Sequence, residues 1–212
     1  QEPRLSLTLA ASRCTLKYMQ EEVSERFGLT RPFTSEKAPS GLIHETFFIN
    51  AKEGEFVMQR LHSVVRPETC EDAKVICDYG RTQGLGLPEF LITKAGKPWY
   101  KTSDGSLWRA MRRLPGISHS RVQSSQEAYV AAQFLGRFHG ALANFSYECK
   151  GAIPYFHNIP YIFEQFKKML AVYRETSILK HVSSEVAYIL ACAPQEFLPA
   201  DIARQIVHGD PK

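Results

Sequence analysis

Early in the chain, two strand-like segments flank a short turn, and this arrangement constrains the fold more than any other feature. Residues 43–50 are rich in Thr, Phe and Ile, and residues 56–61 continue with aromatic and branched side chains. Gly54 lies between the two runs, so the pattern predicts an antiparallel hairpin. Pro67 then predicts the start of a helix that runs to about Gln83, because proline suits the first helical turn.

Further short elements surround this hairpin. Apolar side chains at helical spacing predict an amphipathic helix over residues 16–29, which is followed by a proline-containing loop over residues 30–40. Beyond the second helix, three short strands are predicted over residues 87–93, 99–102 and 106–114, with glycine-containing turns between them. The first part of the chain therefore combines a sheet with two helices.

The second part of the chain carries mainly helical patterns. A helix is predicted over residues 126–142, with Ser124 or Ser125 as its N-cap. Two more helices are predicted over residues 160–181 and 184–193. A β-rich lobe followed by an α-rich lobe implies a cleft between two layers, and ligands commonly bind at such positions.

The composition argues against several classes of protein. The chain of 212 residues contains 26 Lys and Arg against 22 Asp and Glu, a net charge of +4, and it has no run of five like charges. This balance indicates neither a nucleic-acid partner nor a membrane surface. The five cysteines include no C-x-x-C pair, so neither a zinc site nor a disulfide framework is expected, and free thiols indicate the cytoplasm.

The last five residues, His208-Gly209-Asp210-Pro211-Lys212, carry the strongest chemical signal. Transfer of a phosphoryl group to an alcohol needs a carboxylate that accepts the hydroxyl proton, and it needs cations around the phosphate. In the catalytic loop of protein kinases a lysine follows two residues after the aspartate, as Lys212 follows Asp210 here. Asp210 is therefore the candidate base, with Lys212 and His208 as further catalytic residues. The alternative is an ordinary turn, because Gly-Asp-Pro is common turn chemistry.

Six segments resemble one family of kinases in their order and spacing, namely residues 40–47, 56–61, 106–109, 136–139, 153–158 and 208–212. On these segments the chain resembles the aminoglycoside phosphotransferase-like superfamily of small-molecule kinases. Within it, the chain is most similar to the branch typified by N-acetylhexosamine 1-kinase. The resemblance implies an α+β, protein-kinase-like fold with two lobes. Residues 1–114 would form the β-rich N-lobe, and residues 115–212 the beginning of a helical C-lobe that is truncated at the catalytic loop.

The resemblance also implies an ATP site on the hairpin. Arg60 is expected to contact the phosphates from the second strand, with Gln59 as the alternative residue. Met58, on the same strand face as Arg60, would then line the adenine pocket. The anionic partner of Arg60 is expected on the following helix, with Glu71 as the first candidate and Asp72 as the second.

Two further regions of this site are implied by position. Gly41 precedes the first hairpin strand, where a glycine lets the backbone approach a phosphate. Met111, Arg112 and Arg113 fall in the segment that joins the lobes, whose backbone would bond the edge of the adenine. An equal alternative for the two arginines is a solvated surface position.

The acceptor substrate is assigned to the loop before the second predicted helix of the C-lobe. His157 and Asn158 are candidates for substrate contact there. The alternative is a structural turn at the helix entry, with Asn158 near an N-cap position before Pro160.

The metal ligands of this superfamily lie further along the chain than the catalytic loop. An Asn and an Asp that hold Mg²⁺ would follow Lys212. No metal ligand is therefore expected within this chain, and the 212 residues alone are expected to be inactive.

The leading hypothesis is an ATP-dependent phosphotransferase that phosphorylates a hydroxyl group of a small molecule, with a sugar or amino sugar as the first choice. Homoserine, choline and aminoglycosides remain alternative acceptors. A second hypothesis is a catalytically inactive kinase-like module that binds a nucleotide or a protein partner. A third is an unrelated α+β protein in which the terminal five residues form a turn.

Overall fold

A five-stranded antiparallel sheet organises the first part of the chain. The computed structural model describes residues 19–39, 43–117, 119, 121–173, 176–192, 201–202 and 204–209. The strands lie in the order β1-β2-β3-β5-β4. Their bounds are β1 Thr34–Lys37, β2 Glu45–Ala51, β3 Gly54–Arg60, β4 Tyr100–Lys101 and β5 Leu107–Arg112.

The predicted hairpin is confirmed as β2 and β3. Its register runs from Glu45 opposite Arg60 to Ala51 opposite Gly54. Gly54 has φ 127°, a conformation that side chains with a Cβ rarely adopt, so glycine is needed where the turn enters β3.

Two expectations about strands are wrong. The region expected to be a loop over residues 30–40 contains β1. Its four residues are all polar and exposed, so the sequence shows no alternation of apolar side chains there. The expected strand over residues 87–93 makes only an isolated bridge between Phe90 and Met111. Pro88 lacks an N–H group and cannot donate to a longer ladder.

One face of the sheet packs on the first helix, whose described part comprises residues 19–26 (α1). The core on this face contains the inward residues of β2, β3 and β5 together with apolar residues at the end of α1, which are Val23, Phe27, Phe47, Ile49, Phe56, Met58, Trp108 and Ala110. Met58 is 0% exposed within this core. The expectation that Met58 lines an adenine pocket is therefore wrong, because its side chain has no open surface.

The second helix, α2 (Pro67–Thr82), begins at the proline as predicted. Cys70 of α2 is buried together with Leu61 and Leu107, which follow β3 and begin β5. Leu107 alternates with Trp108, so α2 lies on the sheet face that points away from α1.

The helices of the second part largely follow the prediction. Helix α3 (Ser125–Leu142) is capped by Ser124, whose hydroxyl accepts a hydrogen bond from the Glu127 N–H at 3.1 Å. The helix expected over residues 160–181 is instead two helices, α4 (Ile159–Tyr173) and α5 (Ser177–His181). Thr176 starts α5 as its N-cap, and residues 174–175 lie outside the described part. Helix α6 (Ser183–Ala191) follows.

The described residues form two compact units. The first comprises the described residues of Gln1–Gly151 and Gln205–Lys212, and the second comprises those of Ala152–Arg204. None of the described residues in α4, α5 or α6 is buried. The domain boundary at residue 114 stays a prediction. Within the part of the chain that the structure describes, no helix combines the length and apolar character needed to cross a membrane.

Candidate functional site

A row of polar side chains crosses the sheet on the face toward α2. Thr46 lies opposite Gln59 in β2 and β3, and Gln59 lies opposite Arg109 in β3 and β5. The Gln59 amide Nε2 donates to Thr46 Oγ1 at 3.1 Å, and its Oε1 accepts from Arg109 Nε at 2.9 Å. The glutamine therefore holds the arginine in a fixed orientation, because its two polar ends are both bonded.

Arg109 is half-buried between this row and α2. Its guanidinium carbon lies 5.6 Å from the centroid of the Phe90 ring. Burial lowers the pKa of Arg109, while the nearby thiols Cys70 and Cys77 act in the opposite direction. The same burial raises the pKa of each thiol to about 11, so both are neutral at neutral pH.

An apolar row lies two residues along each strand from the polar row. Phe48 lies opposite Val57, and Val57 lies opposite Met111. Since alternate residues share a face, both rows belong to the same surface, about 7 Å apart. Met111, a predicted cofactor-binding residue, lies in this apolar row and is 9% exposed.

Arg60 does not pair with Glu71 as expected. Its guanidinium forms ion pairs with Glu45 at 3.2 Å and Asp104 at 3.4 Å, and it donates to Ser106 Oγ at 2.8 Å. These partners lie at the sheet end, on strands next to β3 and in the β4–β5 turn, whereas α2 lies on the face that Gln59 reaches. Of the two alternatives, Gln59 is thus the β3 residue that faces α2.

Glu71 binds two other side chains of the first unit. Its Oε1 accepts from Lys97 Nζ at 3.0 Å and from Trp99 Nε1 at 3.3 Å. Both hydrogen bonds, that from Lys97 being the stronger influence, lower the pKa of Glu71. The carboxylate is therefore occupied by the segment that precedes β4.

Arg112 and Arg113 both have carboxylate partners. Arg112 Nε lies 3.2 Å from Glu89, and Arg113 lies 3.8 Å from Glu55. Their backbone N–H groups also donate, to the carbonyls of Glu89 at 2.8 Å and Glu55 at 3.0 Å. Neither N–H is therefore available to bond an adenine edge, and a role for these residues in nucleotide binding remains a prediction.

A groove of about 490 Å³ opens beside Arg60. Its lining includes Glu45, Asp104, Ser106 and Pro67. The charge of Arg60 is already balanced there by Glu45 and Asp104, and Lys101 is a second cation in the lining.

His208 lies in the first unit and is exposed. Its backbone N–H donates to Nε2 of His139 on α3 at 3.3 Å, and its ring meets Phe138 edge-on at 6.3 Å between centroids. His139 therefore positions the start of the predicted catalytic segment. Asp210, Lys212 and Gly41 lie outside the described residues.

The predicted substrate residues lie in the second unit. Asn158 Oδ1 accepts from the Tyr161 N–H at 3.0 Å, so its side chain caps the start of α4. His157 is exposed and has φ 56°, in the left-handed region. The capping alternative is confirmed for Asn158, and substrate contact by either residue remains a prediction.

Neither the bond of Arg109 to Gln59 nor the contact of His139 with His208 was predicted from the sequence. A signal for Arg109 was present, because it shares its strand face with the apolar residues Leu107 and Met111. A charge at such a position needs a partner or a function. Among the residues that the structure describes, no cluster of three potential metal ligands from His, Cys, Asp and Glu occurs.

Comparison with solved structures shows the kinase-like fold. A thermostable mutant of aminoglycoside phosphotransferase APH(4)-Ia in apo form superposes with a TM-score of 0.50 and 13% identity, covering 83% of this chain and 59% of that chain. Its ternary complex with ADP and hygromycin B gives a TM-score of 0.50 and 15% identity over 79% of this chain and 56% of that chain. An aminoglycoside phosphotransferase from Alicyclobacillus acidocaldarius gives a TM-score of 0.49 and 13% identity, covering 81% of this chain and 51% of that chain.

This chain spans between 51% and 59% of the length of these three structures. Residues 34–212 match the sequence profile described as the phosphotransferase enzyme family. The matched range starts with β1 and includes the segment from His208 to Lys212. The chain therefore belongs to the phosphotransferase enzyme family.

Proposed function

We propose that this chain is the nucleotide-binding part, and the first part of the catalytic half, of an ATP-dependent phosphotransferase acting on a hydroxyl group of a small molecule. The observation that carries the proposal is the family match over residues 34–212. It joins the antiparallel sheet and the candidate catalytic segment in one continuous range.

The chemistry of the α2-facing sheet surface supports a nucleotide as one substrate. In the apolar row Phe48 and Val57 are partly exposed and offer a surface to a purine, with Met111 buried beside them and the Arg113 guanidinium 4.6 Å from the centroid of the Phe48 ring. The polar row beside it can receive the hydrophilic part of the same molecule. Purine nucleotides need such a combination, because the base is apolar and the phosphates are charged.

Asp210 is proposed to accept the proton of the acceptor hydroxyl, with Lys212 and His208 beside it. The anchoring of His208 to His139 supports this role, because it ties the segment to a packed helix. Mg²⁺ is the expected metal and would supply positive charge at the phosphates. Its ligands are proposed to follow Lys212, where the superfamily places them.

A sugar or amino sugar is proposed as the acceptor, in line with the resemblance to the N-acetylhexosamine 1-kinase branch. Homoserine and choline are alternatives of similar size. An aminoglycoside is a further alternative, since a solved relative of similar fold was crystallised with hygromycin B. His157 is the first residue to test for acceptor contact. The cytoplasm is the expected location.

One observation favours a second candidate function, a kinase-like module that binds a nucleotide or a partner. The β3 position that faces α2 carries Gln59, whereas protein kinases carry a lysine on the corresponding strand. Loss of that cation is a feature by which a kinase-like domain could bind a nucleotide or a partner without transferring phosphate.

The test measures ADP release by the full-length protein with ATP, Mg²⁺ and a panel of sugars, amino sugars, aminoglycosides, homoserine and choline. Release that depends on one acceptor class supports the transferase. Asp210→Asn should abolish this release and leave ATP affinity within about twofold, whereas Asp201→Asn, at an exposed position earlier in the chain, should change neither. ATP binding without release for any acceptor would favour the binding module.

A further inference from the structure

The geometry points to Arg109 on β5 as the side chain that binds the nucleotide phosphates, in the role that kinases give to a cation on β3. This inference rests on the proposed function and names a residue of the same site. Arg109 faces inward from the sheet and has no carboxylate partner among the described residues, although it contacts Gln59 and the Phe90 ring.

Charge balance distinguishes Arg109 from the other two arginines in the strands of the sheet. The strands of the sheet carry three arginines in β3 and β5, of which Arg60 pairs with Glu45 and Arg112 pairs with Glu89. Arg109 forms no ion pair with any carboxylate that the structure describes. A half-buried guanidinium without a counter-ion is costly, and an anionic ligand would supply the missing charge.

The hydrogen-bonding capacity of the Arg109 guanidinium is only partly used by the described residues. Arg109 donates its Nε–H to Gln59 Oε1 at 2.9 Å. Within the described part of the chain, its two terminal NH₂ groups have no acceptor. A guanidinium held at one edge presents the rest of its planar fork to a ligand, and phosphate oxygens match that fork.

The two thiols beside Arg109 add no negative charge to the site. The thiols of Cys70 and Cys77 are neutral, because burial raises their pKa to about 11. Burial, together with the charges of Arg109 and His62, lowers the pKa of His44. Arg109 is thus the charged member of this local group at neutral pH.

The apolar row lies beside the polar row that contains Arg109. Phe48, Val57 and Met111 lie two residues along their strands from Thr46, Gln59 and Arg109. A nucleoside polyphosphate carries its base and its anionic tail in line. With the base on the apolar row, the tail extends over the polar row and reaches Arg109.

The primary test uses isothermal titration calorimetry of the full-length protein with ATP, adenosine and inorganic tripolyphosphate. Arg109→Met should raise the Kd for ATP by about 10- to 100-fold and abolish tripolyphosphate binding, since hydrogen bonds to charged groups are being removed. The Kd for adenosine should change by less than about twofold. Arg26→Met is the matched control, because Arg26 also lies over an aromatic ring, 5.3 Å from the Tyr100 centroid, but belongs to α1.

A second variant protects the test against misfolding of Arg109→Met. Gln59→Glu keeps the shape of the side chain and places a carboxylate beside Arg109. It should weaken ATP binding at least about 10-fold, because the new charge neutralises the guanidinium and repels phosphate. Gln83→Glu, at the exposed end of α2, controls for the added charge.

A rescue experiment tests whether a cation on β3 can replace the one on β5. The double variant Gln59→Lys with Arg109→Met moves the cation from β5 back to β3. It should bind ATP more tightly than Arg109→Met alone by at least about fivefold. A cation with a merely structural role in β5 would not be replaced in this way.

The outcomes separate the two proposals. If the wild type binds ATP and neither Arg109→Met nor Gln59→Glu differs from its control by more than about twofold, the assignment of Arg109 is wrong while the proposed function stands. If the wild type binds tripolyphosphate through Arg109 but releases no ADP, the anion site stands and the transferase proposal fails. If the wild type binds neither ATP nor tripolyphosphate, both are wrong.

Discussion

The carboxylate of Asp72 accepts a hydrogen bond from the backbone N–H of Gly151 at 2.6 Å, across 79 residues of sequence. The same carboxylate accepts from the Tyr147 hydroxyl at 2.7 Å and from the Lys150 N–H at 3.2 Å. Asp72 is 6% exposed, so these three donors satisfy a buried charge. Asp72 was the second candidate partner of Arg60. This expectation is wrong, because the Asp72 carboxylate instead joins α2 to residues 147–151.

Asp72→Ala should lower the free energy of unfolding by roughly 3 kcal/mol, because it leaves buried donors without an acceptor. Asp78→Ala is the control on the same helix. Asp78 forms exposed ion pairs with Lys74 and Arg81, so its loss should cost less than about 1 kcal/mol. Urea denaturation of both variants measures the difference, and equal losses would show that the contacts of Asp72 carry no special stability.

Gly151→Ala should destabilise the protein by about 3 kcal/mol. A Cβ at Gly151 would lie 2.1 Å from the backbone nitrogen of Thr69 in α2, and a helix backbone cannot move aside cheaply. Gly136→Ala in α3 meets nothing within 4 Å and should be neutral or stabilising by up to about 1 kcal/mol. Thermal unfolding of the pair checks the contrast. An unchanged melting temperature for Gly151→Ala would contradict the packing described.

The buried thiols of α2 should react slowly. Burial raises the pKa of Cys70 and Cys77 from the usual 9.0 to about 11, which reduces the thiolate fraction at pH 8 by roughly 100-fold. Iodoacetamide should therefore modify the exposed Cys192 before Cys70 and Cys77, as followed by mass spectrometry of the peptides. In denaturant the modification rates of Cys70, Cys77 and Cys192 should converge. Faster modification of Cys70 than of Cys192 in the native protein would contradict the burial of Cys70.

These thiols also predict a loss of stability in alkali. Their folded pKa values lie above the unfolded value, so the neutral form is favoured by folding. The resulting stability is fully present below pH 9 and is lost as the pH rises from 9 to 11. Urea denaturation across this range should show a falling free energy of unfolding, with a smaller fall in Cys70→Ala.

Arg60→Met should leave the Kd for ATP within about twofold, in contrast to Arg109→Met, because Arg60 is held by Glu45 and Asp104. The loss of these partly exposed ion pairs should cost no more than about 1 kcal/mol. Glu71→Gln should likewise change ATP binding little, since its partners are Lys97 and Trp99. A loss of ATP affinity in both variants would indicate that Arg60 pairs with Glu71 when the protein binds ATP, as the sequence predicted.

Hydrogen exchange should distinguish the sheet from the later helices. Strands β2, β3 and β5 contain fully buried residues such as Phe47, Met58 and Trp108, whereas α4 and α6 have none. Amides of these helices should exchange at least about 10-fold faster than those of the three strands. The end of α3, where Phe138 and Leu142 are buried, serves as an internal reference that should remain protected.

Local sequence was sufficient for the elements whose determinants lie close together in the chain. The β2–β3 hairpin follows from alternation around Gly54, α2 begins at Pro67, and α3 is capped by Ser124. Strand β1 could not be predicted, because its four exposed residues form a strand only by pairing with β2.

The candidate site was predictable only in part. Alternation alone determined that Gln59 and Arg60 point to opposite faces of β3, and the terminal motif with its family segments indicated a phosphotransferase. Which face meets α2 was decided by tertiary packing, because a period of two residues carries no information about the neighbouring layer. The partners of Arg60, 15 and 44 residues away, and the link from Arg109 to Gln59, 50 residues away, exist only once the strands are adjacent.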